Sequence, residues 1–238
     1  MKVIILCAGK GTRMLIDYPK SLIKKNNQKS LLTNIFLNFR KSGFKKKQII
    51  LATGYKYDLI KKEIGKGPIY TYNKRYSSTN MVFTLMNAIK FINEDLIISY
   101  SDLSFDYKNI LKLRKNKNSF VTLIDKKWKK VWGKKGKLDT DSETLKIIDN
   151  KIVELGKKTK SIKNIDARYV GISKINKEKL KIIKKFYFSN LKKNPKKFLK
   201  IDMTSFFNLL IKSGISLYCD QILKKWNEFD DAIDLKKF

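Results

Sequence analysis

The amino-acid sequence predicts an α/β protein with a mixed, mainly parallel central sheet flanked by helices, and three observations support this fold class. Short apolar runs alternate with helical patterns through the first half of the chain, as in proteins that build a parallel sheet. A glycine-rich segment directly follows the first apolar run. From residue 120 to residue 172 the pattern changes to short strands between charged turns, which indicates a small antiparallel excursion.

The first half of the chain alternates regularly between strands and helices. We expect strands where apolar residues run together, and helices where they recur every three or four positions. Gly43 follows one such helix as its stop signal. The predicted strands are 3–6, 48–53, 69–72 and 96–100, and the predicted helices are 31–41, 57–64 and 81–92.

The second half is expected to open with a hairpin and to close with helices. Asp149 and Asn150 separate two apolar strand patterns at 145–148 and 152–155, as the turn of a hairpin does. Further on, the sequence predicts helices over 178–186 and 204–213, a last strand at 215–218 and a terminal helix.

The length, the cysteine content and the hydropathy of the chain limit the class of protein it can belong to. The chain has 238 residues, a length typical of one domain with a substantial core. Cys7 and Cys219 lie in apolar contexts and predict free thiols in a reducing compartment. The chain starts with a strand pattern rather than a charged and then apolar leader, and no apolar run approaches the ~20 residues that span a bilayer. We therefore expect a cytoplasmic protein with no signal peptide and no membrane span.

The net charge of +33 raises the question of nucleic-acid binding. Five of the 54 basic residues are arginines, so the other 49 are lysines, and these are spread along the whole chain. Proteins that read bases favour arginine, because its planar fork matches the edge of guanine. We interpret the charge as a bias of residue usage and expect no dedicated nucleic-acid partner. A lysine-rich protein that binds nucleic acid or another anionic polymer is the non-enzymatic alternative.

The segment after the first strand carries the strongest functional signal. It reads Leu6-Cys7-Ala8-Gly9-Lys10-Gly11-Thr12-Arg13-Met14 and is closed by Pro19-Lys20. Glycines in such a turn let backbone amides approach phosphates that a Cβ would hold away. The segment lacks the third glycine of a dinucleotide fingerprint and the Gly-Lys-Ser/Thr of an ATPase P-loop. With the charges of Arg13 and Lys20, it predicts a nucleoside triphosphate site at the carboxyl end of the first strand; a basic loop without a ligand is the alternative.

Two aspartates are the candidate ligands of a magnesium ion. Asp102 follows the predicted strand 96–100, and in open α/β sheets ligands bind beyond the carboxyl ends of strands. Mg²⁺ prefers one or two carboxylates together with phosphate oxygens and water. Asp230 lies after the last strand and is the second candidate, although either aspartate has an ordinary alternative as a cap or turn residue. We expect Asp102 and Asp230 to converge on one cation opposite Arg13 and Lys20.

Short motifs along nearly the whole chain resemble those of the nucleotide-diphospho-sugar transferase superfamily. The Gly-x-Gly-Thr-Arg-Met segment followed by Pro-Lys is similar to its signature, and further segments resemble its phosphocholine cytidylyltransferase-like branch, in the same order. These segments are Ser78-Thr79-Asn80-Met81, Tyr100-Ser101-Asp102-Leu103, Ile152-Val153-Glu154-Leu155-Gly156-Lys157-Lys158, Tyr169-Val170-Gly171-Ile172, Asp202-Met203-Thr204 and Trp226-Asn227-Glu228-Phe229-Asp230. The resemblance implies a Rossmann-like, GT-A-like nucleotidyltransferase domain over 1–238, with a nucleotide-binding half at 1–118 and an acceptor-binding half at 119–238.

The resemblance also implies roles for individual residues. Those implied to bind the nucleotide are Leu6, Ala8, Gly9, Gly11, Thr12, Arg13, Thr79, Asn80 and Ser101. Catalysis is implied for Arg13 and Lys20, with Lys20 stabilising the charge that builds on the α-phosphate, and Mg²⁺ binding for Asp102 and Asp230. Either Lys157 or Lys158 would meet the phosphate of the acceptor. An ionised acceptor phosphate needs no protein nucleophile, which agrees with a sequence that has no histidine.

The identity of the acceptor is left open by the sequence. Trp128, Trp132 and Tyr169 are candidates for an aromatic cage around an amine, with core packing as the alternative. Asp202, Asp139 and Asp141 are candidate partners of such an amine. Phosphocholine, phosphoethanolamine, an aminoalkylphosphonate, a phosphorylated amino acid and a sugar 1-phosphate all fit these residues.

We therefore expect a magnesium-dependent cytidylyltransferase that joins CTP to a small phosphorylated acceptor and releases pyrophosphate. Its product would serve cell-surface polysaccharide or phospholipid precursor synthesis. The spacing from Gly9 to Lys20 also resembles uridylyltransferases that make UDP-N-acetylglucosamine, so a sugar-1-phosphate uridylyl- or thymidylyltransferase is the enzymatic alternative. We expect no second, β-helical domain of the kind those enzymes carry. A homodimer is left open.

Overall fold

A mixed nine-stranded sheet forms the centre of the molecule. The computed structural model describes residues 1–11, 17–24, 28–135, 142–224 and 226–229, without the side chains of residues 131, 132, 134, 135 and 164. The strands of this part of the chain are β1 (Lys2–Cys7), β2 (Ile49–Thr53), β3 (Ile69–Tyr72), β4 (Leu96–Tyr100), β5 (Leu103–Phe105), β6 (Phe120–Asp125), β7 (Glu143–Ile148), β8 (Lys151–Lys158), β9 (Arg168–Ile175), β10 (Leu217–Gln221) and β11 (Trp226–Glu228).

The sheet runs in the order β3-β2-β1-β4-β9-β6-β10-β8-β7. Strands β3, β2, β1 and β4 are parallel neighbours, and β6 pairs with β10 in the parallel sense. Strands β8 and β9 run in the opposite direction to the rest of the sheet, because every pairing that involves either of them is antiparallel. A separate two-stranded sheet joins β5 to β11.

Helices cover both faces of this sheet. Those in the described ranges are α1 (Leu31–Lys41), α2 (Tyr57–Ile64), α3 (Met81–Ala88), α4 (Tyr107–Lys115), α5 (Trp128–Lys135), α6 (Lys177–Lys193), α7 (Pro195–Lys200) and α8 (Met203–Lys212). No helix in the described part of the chain is long and apolar enough to cross a membrane.

Alternate residues of the central strands pack into two separate hydrophobic clusters. In β1, Ile4 and Leu6 belong to one cluster, whereas Val3, Ile5 and Cys7 belong to the other. Successive side chains of a strand point to opposite faces, so both faces of β1 are buried. This two-sided burial explains why the strand appears in the sequence as a continuous apolar run.

The structure confirms the predicted fold class. Helices α1 and α2 and strands β3 and β4 have the predicted bounds, and the ends of β1 and β2 differ from the prediction by one residue. Asp149 and Asn150 form the predicted hairpin turn, with φ angles of 49° and 59°, as a type I′ turn requires.

Other elements differ from the prediction. Helix α3 ends at Ala88 rather than at residue 92, because Ile89 leaves the helical conformation with ψ of 7°. Helices α4, α5 and α7 were not predicted; α5 lies where only short strands were expected. Strand β10 begins at Leu217, two residues later than predicted. The predicted terminal helix lies outside the described residues.

Candidate active site

The two central strands bring the glycine-rich turn and Asp102 to the same edge of the sheet. Strands β1 and β4 are parallel neighbours, and Leu6 lies opposite Tyr100 near their carboxyl ends. The turn that begins at Ala8 and the Ser101–Asp102 segment therefore emerge side by side. This edge is where open α/β sheets bind their ligands.

Lys20 and Asp102 meet at this edge in a direct ion pair. The Lys20 Nζ atom donates to Asp102 Oδ2 over 2.8 Å, and the two side chains are only 12% and 21% exposed. A charge pair with so little solvent around it interacts more strongly than a surface pair. The second carboxylate oxygen, Asp102 Oδ1, is buried and has no hydrogen-bond partner among the described residues.

Gly11 allows the glycine-rich turn to lie against Lys20. Its φ angle is +66°, and a Cβ built on it would lie 2.7 Å from the Cβ of Lys20. Any other residue would have to push Lys20 away and would also be strained at this φ. The second glycine of the motif therefore has a packing role in addition to any role toward a ligand.

A pocket of about 310 Å³ opens over this edge. We call it the first pocket. Its walls come from the turn after β1, from the residues around Lys20, from the start of α3 and from the end of β4. It is lined by Leu6, Cys7, Ala8, Gly9, Gly11, Lys20, Ser21, Tyr76, Thr79, Asn80, Met81, Thr84, Tyr100, Ser101 and Asp102.

Thr79 and Asn80 line the first pocket and also hold the chain in place. Asn80 caps α3, since its side-chain oxygen accepts from the Met81 amide over 2.7 Å. Its Nδ2 donates to the Lys200 carbonyl over 3.0 Å. The Thr79 hydroxyl donates to the Arg75 carbonyl over 2.7 Å. These bonds fix the wall of the pocket to α7 and to the loop before α3.

A second pocket, of about 260 Å³, adjoins the first. Tyr100 and Met81 line both pockets. The other lining residues come from β7, β8, β9, the start of α8 and the segments near them: Trp128, Glu143, Thr144, Leu145, Leu155, Ile165, Ala167, Arg168, Tyr169, Asp202, Met203, Thr204 and Glu228.

The second pocket carries charges of both signs. Arg168 pairs with Glu228, with 3.3 Å between its Nη2 atom and Glu228 Oε2, and both side chains are about five-sixths buried. Glu143 and Asp202 add two further carboxylates to the lining. Asp202 also caps α8, where it accepts from the amide and the hydroxyl of Ser205 over 2.8 Å each.

Trp128 and Tyr169 line the second pocket from within the core. Trp128 is 1% exposed, and its Nε1 has no hydrogen-bond partner in the described part of the structure. Burial raises the pKa of Tyr169 to about 12, and its ring packs edge-on against Tyr100 at a centroid distance of 5.9 Å. Trp128 is therefore a core residue, Tyr169 packs against the core, and both form part of the pocket wall.

Lys157 lies outside the second pocket. Its ammonium pairs with Glu154, and its side chain is 55% exposed. Lys157 lines a separate open groove together with Lys197 and Lys200. Lys158 is exposed as well, and in the hairpin it lies opposite Glu143, a residue of the second pocket.

Several candidate residues lie outside the described part of the structure. They are Thr12, Arg13, Asp139, Asp141, the side chain of Trp132 and Asp230. Phe229 precedes Asp230 in the chain, and its amide donates to the Asp102 carbonyl over 3.0 Å. This bond extends the ladder in which Glu228 of β11 lies opposite Leu103 of β5.

Sequence reasoning named no site role for Tyr100, Glu143, Arg168 and Glu228. Tyr100 and Glu228 lie within the motifs noted for Asp102 and Asp230, whereas Glu143 and Arg168 lie outside every motif and are brought to the second pocket by strands that are distant in sequence. One signal was available for Arg168. The chain has five arginines and 49 lysines. An arginine in so lysine-rich a chain indicates a position that uses the planar guanidinium group, because lysine cannot form the same paired hydrogen bonds.

Known proteins similar to this chain are nucleotidyltransferases. The chain is 32% identical over 252 aligned residues to a CTP:phosphoglutamine cytidylyltransferase from Campylobacter jejuni, and the alignment covers 99% of this chain and 98% of that protein. It is 32% identical over 169 residues to the bifunctional protein GlmU of Thermosipho melanesiensis, covering 68% of this chain and 36% of GlmU. No protein-family model matches the chain.

Solved structures share the fold at low sequence identity. The inositol-1-phosphate CTP transferase from T. maritima superposes with a TM-score of 0.74 at 16% identity, over 98% of this chain and 90% of that one. The CTP:phosphocholine cytidylyltransferase from Streptococcus pneumoniae superposes with a TM-score of 0.71 at 18% identity, over 99% and 96%. These structures show the fold. The near full-length match to the Campylobacter protein shows that this chain is a cytidylyltransferase of the nucleotide-diphospho-sugar transferase superfamily.

Proposed function

We propose that this cytidylyltransferase binds CTP in the first pocket and, with Mg²⁺, transfers CMP to a small phosphorylated amine held in the second pocket. An oxygen of the acceptor phosphate attacks the α-phosphorus of CTP, the bond from that phosphorus to the bridging oxygen breaks, and pyrophosphate leaves. The acceptor phosphate is already ionised at neutral pH, so the step requires positioning and charge stabilisation rather than a protein base.

One observation carries the proposal: the Lys20–Asp102 pair lies at the edge of β4, beside the wall that the two pockets share. The ammonium group of Lys20 and the carboxylate of Asp102, a type of side chain that binds metal ions, are therefore in contact where CTP and the acceptor would meet. Such a placement suits stabilisation of charge on a transferring phosphoryl group.

On the donor side, we assign the triphosphate to the glycine-rich turn. Gly11, Thr12 and Arg13 would bind the β- and γ-phosphates, and Lys20 would stabilise the charge that develops on the α-phosphate. The base and ribose would contact the remaining residues assigned to the first pocket, which are Leu6, Ala8, Gly9, Thr79, Asn80 and Ser101. The donor half would then be 1–118 and the acceptor half 119–238.

We assign Mg²⁺ to Asp102 and Asp230. The unpartnered, buried Asp102 Oδ1 supports this assignment, because a carboxylate oxygen without a donor is suited to a hard cation. The bond between Phe229, the residue before Asp230, and Asp102 also supports it. In the described ranges no three His, Cys, Asp or Glu side chains cluster as metal ligands, and Mg²⁺ needs only one or two carboxylates beside substrate phosphates. The bound ion would neutralise charge on the phosphates; Lys20 would be released from Asp102 toward the α-phosphate.

The charges of the second pocket support an acceptor that carries both an amine and an anionic group. Glu143 and Asp202 would attract the amine, and Arg168 would bind an anionic group bidentately. The phosphoglutamine of the Campylobacter relative is an acceptor of this kind, so we propose a phosphorylated amino acid or a close analogue. Lys158, which lies opposite Glu143, is a better candidate for the acceptor phosphate than Lys157.

The proposal includes a cytoplasmic setting and a product that serves cell-surface polysaccharide or phospholipid precursor synthesis. Such products are activated CDP compounds. A later transferase moves their phosphorylated group to another molecule.

The test is a pyrophosphate-release assay with CTP, UTP, dTTP and ATP against phosphoglutamine, phosphocholine, phosphoethanolamine and glucosamine 1-phosphate. We expect turnover with CTP and Mg²⁺, fastest with phosphoglutamine, and none after chelation with EDTA. In thermal-shift measurements CTP should raise the melting temperature most, by the equivalent of about 2.7 kcal/mol at a hundredfold excess over Kd. Preference for UTP and a sugar 1-phosphate would instead favour the uridylyltransferase alternative.

A further inference from the structure

Tyr100 forms a wall that the two pockets share. It is the last residue of β4, two positions before Asp102, and it lines both the first and the second pocket. Its ring packs edge-on against Tyr169, a residue of the second pocket, at a centroid distance of 5.9 Å. The ring therefore lies where the two pockets meet.

The Tyr100 ring packs against Gly171. Gly171 belongs to β9, the antiparallel neighbour of β4. Its φ angle is +81°, and a Cβ built on it would lie 2.8 Å from Tyr100 Cδ2 and 3.0 Å from Tyr100 Cγ. Real Cβ atoms do not come this close to a ring, so a side chain at residue 171 would displace Tyr100.

The strand is locally irregular at this position. Between β6 and β9 the register shifts from Thr122 opposite Ser173 to Ile124 opposite Tyr169, so the extra residues of the bulge lie in β9 around Gly171. Bulges re-aim side chains beside functional sites. Here the bulge lets the backbone of Gly171 support one side of the Tyr100 ring while Tyr169 packs edge-on against it.

We propose that the Tyr100 ring is the partition that sets the relative position of donor and acceptor, and that Gly171 is the positioning residue that holds this ring in place. This inference rests on the proposed function of the two pockets. It gives a physical reason for the Tyr-Val-Gly-Ile segment at 169–172, which contains no charged side chain.

A second glycine provides an internal comparison. Gly156 has a φ of +83°, and a Cβ on it would lie 2.7 Å from the Cβ of Thr204. Thr204 lines the second pocket and is not among the lining residues of the first. A side chain at Gly156 should therefore disturb the acceptor side alone, whereas one at Gly171 should disturb both sides through Tyr100.

The experiment compares four alanine variants that all place a Cβ at a positive φ. Gly171→Ala and Gly156→Ala have the collisions described above. Gly65→Ala and Gly214→Ala are matched controls, because their φ angles are +78° and +84° and nothing lies within 4 Å of the added Cβ. Each variant is assayed for pyrophosphate release with CTP and the acceptor that the wild type uses fastest, and its melting temperature is measured.

We expect Gly171→Ala to raise the KM for CTP and the KM for the acceptor and to lower kcat, with a total loss of roughly tenfold to a hundredfold in kcat/KM. Gly156→Ala should raise the KM for the acceptor and leave the KM for CTP near the wild-type value. Both controls should share the loss of melting temperature caused by the strained backbone while keeping wild-type kinetic constants.

Tyr100 is tested directly, so the proposal does not depend on whether Gly171→Ala folds. Tyr100→Phe keeps the ring and should keep most activity. Tyr100→Ala opens the partition, and we expect it to hydrolyse CTP without an acceptor: water attacks the α-phosphorus, and CMP and pyrophosphate are released. CMP formation in the absence of acceptor is a signal that a general loss of stability would not produce.

Two results would overturn the inference in an enzyme that is otherwise active. One is a Gly171→Ala variant with the kinetic constants of Gly214→Ala. The other is a Tyr100→Ala variant whose KM values for both substrates are unchanged and whose CMP formation without acceptor matches that of the wild type. If the wild type itself releases no pyrophosphate with any substrate pair, the proposed function fails instead, and the two failures are distinct.

Discussion

The two pockets differ in how the chain builds them. The first is lined by residues from a single stretch of the chain, 6–102, arranged around the ends of the parallel strands β1 and β4. The second combines Met81 and Tyr100 from that stretch with side chains that run from Trp128 to Glu228. Donor binding is thus assigned to turns that follow neighbouring parallel strands, and acceptor binding to an antiparallel region with a bulge and two hairpin strands.

This difference separates a site that depends on backbone groups from a site that depends on particular side chains. Backbone groups and glycines in a turn bind phosphates whatever the rest of the ligand is. Selection of the acceptor needs particular side chains in a concave wall, and antiparallel strands and their loops supply these from many positions. Changes in the second pocket should therefore alter acceptor choice, whereas changes at the shared edge should stop the reaction.

The largest expected effect follows from Lys20 and Asp102. Lys20→Ala and Asp102→Asn should each reduce kcat by about a thousandfold or more, because each removes a charge next to the transferring phosphoryl group. Pyrophosphate release with CTP and Mg²⁺ measures the loss, and circular dichroism checks the fold.

Matched controls lie close by for both variants. Lys24→Ala removes a neighbouring lysine whose side chain is 48% exposed and pairs with Glu63. Asp106→Asn replaces the cap of α4, where the side chain accepts from the Lys108 amide, by a residue that caps equally well. Both should keep wild-type kcat. Substantial pyrophosphate release by Lys20→Ala or Asp102→Asn would contradict the assignment of the shared edge.

Arg168 should separate acceptor binding from donor binding. Arg168→Ala removes one ion-pair partner of the mostly buried Glu228, so we expect the free energy of unfolding to fall by about 2 kcal/mol. The KM for the acceptor should rise by about tenfold or more, while the affinity for CTP changes little.

Calorimetric titration with CTP and Mg²⁺, steady-state kinetics and urea denaturation measure the three quantities for Arg168. Arg168→Lys keeps the charge but not the planar fork, and it should recover part of the stability without restoring acceptor affinity. If Arg168→Ala lost as much affinity for CTP as for the acceptor, the assignment of the two substrates to separate pockets would be contradicted.

Substitution of Glu63 should have a smaller effect, on the free energy of unfolding, and should leave both pockets unchanged. Burial raises the pKa of its carboxyl, but hydrogen bonds from Ser30 and Thr33 and the charge of Lys24 outweigh this and hold the pKa below its ordinary value. The folded state therefore binds the ionised form better, and its contribution is present above pH 4.5, the ordinary value, and is lost as pH falls through the lowered value.

Glu63→Gln should lower the free energy of unfolding by about 1 kcal/mol at pH 7, since it weakens charged hydrogen bonds of 2.7 and 2.8 Å. The difference in the free energy of unfolding between variant and wild type, measured by urea denaturation, should become smaller as the pH is lowered below 4.5. Glu178→Gln, at a side chain that is 70% exposed, is the control and should change stability by less than about 0.5 kcal/mol. A gap that widens in acid would contradict the cause given for the pKa of Glu63.

The smallest expected effect concerns the hairpin of the acceptor region. Asn150 has a φ of 59°, a conformation that glycine adopts without strain and that the second position of a type I′ turn requires. Asn150→Gly should raise the melting temperature by about 1–2 °C, whereas Asn150→Val should lower it, because a β-branched residue is strained there. Scanning calorimetry measures both shifts, and a stabilising valine would show that residue 150 does not hold this turn.

Much of the fold of the first region could be predicted because its signals are local. Strand β4 is buried on both sides and appears as an apolar run, and Gly43 ends α1 by its own backbone freedom. Helix α5 could not be predicted in the same way: Trp128 is placed by packing against distant strands rather than by the helix propensity of its neighbours. The same reason separates Asp102, which follows a strand that the sequence predicts, from Arg168, which lies outside every motif and reaches the second pocket only through the sheet order.

The alternation of strands and helices, the glycine-rich turn and the order of the motifs are predictable from the sequence, because each depends on residues that are neighbours in the chain. The contact of Lys20 with Asp102, the position of Tyr100 between two pockets and the packing of Gly171 against its ring follow from the folded structure alone. Those contacts join residues far apart in the chain, and their distances depend on the sheet order and the β9 bulge, which local patterns do not encode.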